Sequence, residues 1–177
     1  MIYYRQKIDN FIEGFDKYSI IVLLSENHNL LLKDAKKISE AIAGSNAEEE
    51  MRITRYFNQE INLKRNEILS LIRTKSFFPG RQVIMLNDLS EKDQKIITAI
   101  DSEWQDQDAI TIVTMDKLAK NSELKNLLVS SSQMALITYT KNILNNDFLK
   151  NKLAEDGINF DGDKVIDTLV EFSNFSS

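Results

Sequence analysis

Few residues of this chain are of the kinds and spacing that do chemistry. Four of them fall where an open α/β sheet gathers its ligands, beyond the carboxyl ends of its strands. Glu26 follows a first apolar run, Ser19–Leu24, and Asp88 follows the run Gln82–Leu86. Thr114 ends the run Ala109–Thr114, and Lys141 lies just past Met134–Thr138. Carboxylates so placed can hold Mg²⁺ while an aspartate accepts a phosphoryl group. Glu26 is the only acidic residue of the segment that follows the first run, Ser25-Glu26-Asn27-His28-Asn29. A nucleotide-binding protein places a glycine-rich loop at the same position, because bare backbone amides must approach the phosphates. This segment has no glycine and no Gly-Lys-Ser/Thr, and its glutamate repels phosphate. Nucleotide hydrolysis is not encoded there. His28 is the only histidine, and between two asparagines it reads as a turn or cap residue rather than a catalyst. No His/Asp/Glu set has metal-ligand spacing, so no catalytic residue, cofactor or metal is assigned.

The elements that must position these groups follow from apolar periodicity. Five short apolar runs read as strands: Ser19–Leu24, Met51–Phe57, Gln82–Leu86, Ala109–Thr114 and Met134–Thr138. Between them lie helical patterns at Asn29–Ala43, Ile61–Thr74, Lys92–Trp104 and Ser122–Val129, and a further one, about Ile8–Tyr18, precedes the first strand. Strand–helix alternation repeated five times predicts a mostly parallel sheet with helices on both faces. After Lys141 the pattern changes to two helical segments, Asn142–Asp156 and Asp163–Phe172, with no strand following. The expected organisation is therefore an α/β domain over 1–140 and the start of a small helical domain over 141–177, in a chain that reads as a piece of something longer.

With that order of elements, Glu26, Asp88, Thr114 and Lys141 are similar to the phosphoacceptor site of a response-regulator receiver domain. The lone Glu26 and the helix ahead of the first strand depart from that pattern. Lys33, Lys36 and Lys37 read as a solvated helix face, and Thr114–Leu124 as a charged loop leading into an amphipathic helix.

Composition narrows the function classes. The 177 residues carry 22 basic and 27 acidic side chains for a net charge of −5, which argues against a free-standing nucleic-acid or membrane-surface binder. There is no cysteine, which removes disulfides, zinc ribbons and thiol catalysis and suits a reducing, cytoplasmic setting. Met1–Lys7 has no apolar leader core, and no stretch approaches a membrane span.

One segment stands out against this background: Ser76-Phe77-Phe78-Pro79-Gly80-Arg81, two adjacent phenylalanines before the chain's only proline. Pro-Gly stops a helix and bends the backbone. Consecutive side chains on such a segment point in different directions, so one buried surface seldom takes both rings. Either both rings cap the domain's own core, or at least one reaches solvent or a partner.

Taken in order, the segments resemble the delta subunit of bacterial DNA polymerase III, the clamp-loader component that binds and opens the sliding clamp. The match is carried by Ile21–Leu24 followed by Leu30–Leu32, by Ser76-Phe77-Phe78 with Arg81-Gln82-Val83, by Ile110–Val113 followed by Lys117–Lys120, and by Leu153–Ile158 in the helical tail. The resemblance implies an AAA+ fold without a working nucleotide site. It implies no intrinsic ATPase or other catalytic site, within a holoenzyme that carries DNA-directed DNA polymerase activity. It also implies a clamp-binding element at Ser76, Phe77, Phe78 and Pro79, whose two rings enter a pocket on the clamp. Arg73 stands where the family often has glutamine, and Phe77 replaces the usual leucine. The implied partners are the sliding clamp (beta subunit) and, for the full-length protein, other loader subunits, with DNA met only indirectly and no membrane. The family's third, oligomerising domain has no counterpart here. Delta-prime and tau/gamma subunits are less similar, since they carry zinc modules and a Ser-Arg-Cys signature. The remaining reading is a generic interaction module on a degenerate nucleotide-binding fold.

Overall fold

Six strands run parallel in one sheet, in the order β1-β6-β2-β5-β4-β3. They are β1 Ile2–Tyr4, β2 Ile20–Leu24, β3 Ile53–Phe57, β4 Val83–Leu89, β5 Ile110–Met115 and β6 Met134–Thr138. The helices are α1 His28–Ala43, α2 Asn58–Ile61, α3 Arg65–Ile72, α4 Gln94–Glu103 and α5 Glu123–Ser130. The computed structural model describes residues 2–4, 14–44, 46–75 and 80–139. The chain divides into two compact units, Met1–Thr140 and Lys141–Ser177. All described residues belong to the first, and the expected helical domain lies outside them. Among the described residues no helix is long and apolar enough to cross a membrane.

The central strands are apolar on both faces because both are covered. Every residue of β5 is buried. Along β2, Ile20 and Val22 enter one core while Ile21 and Leu23 enter the other. The first core is closed by Ile68 and Ile72 of α3, Ile96, Ile97 and Ile100 of α4, and Leu124 and Leu128 of α5. The second is closed by α1 through Leu31, Ala35, Ile38 and Ile42, spaced three to four residues apart as one helix face requires. Crossover handedness accounts for this division. The β2–β3 connection crosses the sheet in one direction and the next three return in the other, so right-handed crossovers place α1 on one face and α2 to α5 on the other. Asn27 starts α1 by accepting the Leu30 N–H on its side chain at 3.1 Å, and Ser122 caps α5 by accepting that of Lys125 at 3.1 Å.

The five expected strands and the parallel α/β class are present, with local differences. β1 adds a sixth strand at the sheet edge, paired to β6. The helix expected over Ile61–Thr74 is broken into α2 and α3 by a turn at Asn62–Lys64, where Leu63 points to solvent. β4 continues to Leu89 through a register shift at Leu86–Leu89, made possible by a positive φ of 59° at Asp88. β3 starts at Ile53, after a turn that holds Met51 at φ 51°. Residues 8–13 of the expected helix at Ile8–Tyr18 lie outside the described residues; within them Phe15–Lys17 forms a 3₁₀ turn.

Candidate functional site

The sheet has two working edges, and the sequence places candidates on both. At the carboxyl edge, the β2–α1 connection is Ser25-Glu26-Asn27, and His28 opens the helix. The Nδ1 of His28 lies 3.3 Å from Oδ1 of Asp88, with both side chains about half exposed. The Asp88 backbone is fixed on both sides. Its N–H donates to Thr114 Oγ1 at 3.0 Å, and its carbonyl accepts from Asn58 Nδ2 at 2.8 Å. Thr114 is thus committed to supporting a backbone turn, and the Asp88 carboxylate faces an imidazole instead of a second carboxylate. Lys141 lies outside the described residues. Among the described residues, no group of three or more His, Cys, Asp or Glu is placed to hold a metal. The edge brings Asp88 and Thr114 together, as a phosphoacceptor site would, but gives the pair structural duties.

The second edge is formed by the amino ends of β3, β4 and β5. Ser76, Phe77, Phe78 and Pro79 lie outside the described residues; the chain on either side of them is held by hydrogen bonds. On the incoming side, α3 ends at Ile72, whose carbonyl accepts the Ala109 N–H at 2.9 Å and so ties the helix end to the start of β5. Thr74 continues that turn, its N–H donating to Leu71 O at 3.0 Å and its hydroxyl to Ser70 O at 3.2 Å. On the outgoing side, Gly80 has φ 119°, a conformation side-chain-bearing residues rarely adopt. Val83 N–H then donates to Arg52 O at 2.8 Å and Ile110 N–H to Gln82 O at 3.0 Å.

Two buried arginines organise this edge. Arg81 is 9% exposed. Its Nε donates to Asp108 O at 2.8 Å and its Nη1 to Asp16 O at 3.1 Å. Arg52, 5% exposed, sends Nε to Glu50 Oε2 at 2.7 Å and holds Nη2 2.6 Å from the same oxygen. Beside them opens a pocket of about 500 Å³ lined by Phe15, Lys75, Gly80, Arg81, Gln82 and Gln107. Sequence reasoning found Arg81 only as part of a motif match and missed Arg52 entirely. No local signal in the sequence marks Arg52 as buried. This edge holds no nucleophile–base pair among the described residues.

No family model matches the sequence, and no curated protein matches it. Solved structures share the fold, a parallel α/β sheet flanked by helices. Over 93% of this chain the structure is similar to the DNA clamp loader delta protein (YqeN) of Bacillus subtilis, with a TM-score of 0.64 at 14% identity. The chain spans about half of that protein, 51% of its length.

Proposed function

We propose that this chain is the clamp-binding part of a delta-type clamp-loader subunit, acting by protein contact rather than catalysis. Phe77 and Phe78, preceded by Ser76 and followed by Pro79, are its anchors for the sliding clamp. The observation that carries the reading is the similarity of fold to a clamp loader delta protein over nearly the whole chain. Two features agree with it. The phosphate-binding position after β2 has no glycine or lysine. The segment bearing both rings follows the end of α3 and precedes β4, and both of these ends are fixed by backbone hydrogen bonds. Other clamp-loader subunits are further partners of the full-length protein in this reading.

The test is Phe77→Ala with Phe78→Ala, measuring affinity for a purified bacterial sliding clamp and melting temperature on the same protein. Burying one phenylalanine is worth roughly 1.5–3 kcal/mol, so losing both weakens binding by about a hundredfold or more. The melting temperature stays close to that of the parent. A variant that melts far lower places the rings in the core, and one that binds the clamp unchanged ends the assignment.

A further inference from the structure

We propose that the pocket at the amino edge of the sheet binds a small organic monocarboxylate with an apolar body; nothing in this depends on the clamp reading above. Its volume of about 500 Å³ suits a small ligand. Phe15, Ile42 and Ala109 give it an apolar wall, while Lys75, Arg81 and Gln107 bring polar groups to it. Arg81 is the buried part of the site, with its side chain 9% exposed. Three neighbours fix it. Its Nε donates to Asp108 O at 2.8 Å and its Nη1 to Asp16 O at 3.1 Å, and the Trp104 ring centroid lies 5.5 Å from the guanidinium. None of these three groups carries a full negative charge.

A buried cation needs a counter-charge. The one carboxylate in contact among the described residues is that of Asp16, 3.4 Å from Nη1 on a side chain 79% exposed, where water weakens the attraction. Arg81 Nη2 is buried with no hydrogen-bond partner, so one donor of the guanidinium is unspent. Structural duty explains Nε and Nη1 but not Nη2. Lys75 adds a second cation, exposed and in no ion pair among the described residues. Asp16 is the only acid among the described residues lining the pocket, which therefore carries two positive charges against one negative. That surplus matches a monoanion, whereas a phosphate dianion would exceed it and meet the Asp16 carboxylate. A carboxylate has the planar geometry that a guanidinium pairs with best. Gln82 and Gln107 add neutral donors to the lining, and the apolar wall takes the rest of the molecule out of water.

The test titrates the whole chain by calorimetry with phenylacetate, with the neutral phenylacetamide of the same shape, and with phenyl phosphate. We expect phenylacetate to bind with a Kd of about 1 mM or tighter, and the amide about tenfold more weakly. Lys75→Gln, at an exposed position, should weaken the acid about threefold and leave the amide unchanged. Arg81→Gln should weaken the acid about tenfold. Added salt should reduce binding of the acid alone. Melting temperatures show which variants are folded. If Arg81→Gln is not, Lys75→Glu takes its place, with an expected loss of about tenfold. No binding of phenylacetate at millimolar concentrations, equal binding of acid and amide, or parent-like affinity in the folded charge variants overturns the proposal. Phenyl phosphate binding more tightly than phenylacetate overturns the carboxylate class. Clamp affinity plays no part in these outcomes, so their failure leaves the clamp reading to its own test.

Discussion

The guanidinium of Arg81 stacks over the indole of Trp104, 5.5 Å from the ring centroid, while that indole donates its Nε1–H to Ala109 O at 3.1 Å. The pair joins the root of the Ser76–Pro79 segment to the turn between α4 and β5. Together with the bonds from Arg81 to Asp108 O and Asp16 O, it makes one side chain the meeting point of three chain segments.

Arg81→Ala removes all of these contacts at a buried position and leaves two backbone carbonyls short of a donor. A loss of about 2–3 kcal/mol follows from unmade hydrogen bonds and lost packing. Urea denaturation of the parent and variant checks it, with a lower midpoint and an unchanged slope as the expected result.

Mg-ATP should produce no binding heat at micromolar concentrations, and acetyl phosphate should not phosphorylate Asp88. The β2–α1 connection offers no glycine-lined cradle, and the Asp88 carboxylate is opposed by His28 at 3.3 Å. Calorimetric titration and intact-mass measurement read these two outcomes directly.

Burial first, and then its hydrogen bond to Glu67, raises the pKa of the Tyr56 phenol above its ordinary value. The phenol donates to Glu67 Oε1 at 2.8 Å. A raised folded pKa favours the protonated form, so the contribution is complete below about pH 10, the unfolded value, and is lost as pH rises beyond it. One of the five tyrosines should ionise late in an absorbance titration. The fall in stability between about pH 9 and about pH 11 should be smaller in Tyr56→Phe.

Apolar substitutions should divide sharply by face. Ile97, fully buried against the sheet, should cost about 3 kcal/mol as Ile97→Ala. Leu63 and Met51, 87% and 83% exposed, should change stability by less than about 0.5 kcal/mol as serine. Thermal unfolding of the three variants side by side decides it.

How far the sequence disclosed this molecule depended on whether a signal was local. β2, β5 and β6 were legible because strands buried on both faces read as unbroken apolar runs. The lack of a glycine-rich loop after β2 was legible because phosphate binding demands glycine at one known place. β1 was not, since three residues carry too little pattern, and the α2–α3 break was hidden because Leu63 continues an apolar spacing without being buried. Arg52 lay at the end of the acidic run Glu48-Glu49-Glu50, which reads as solvated surface. Its burial is set by Gly44 and Gly80, the second of them far along the chain. The element expected at Ser76–Pro79 was visible only as composition, two rings and a proline.

β2 lies between β5 and β6 and pairs with neither of the strands that follow it directly. A ribosome delivering this chain therefore releases the central strand long before either neighbour exists. Until Ile110–Met115 emerges both edges of this apolar five-residue strand stay unpaired, and one edge stays so until Met134–Thr138 follows, the condition in which nascent chains aggregate or recruit chaperones. The order of synthesis thus opposes the order of assembly. A chain stopped before β6 should be insoluble even though most of its residues are already made.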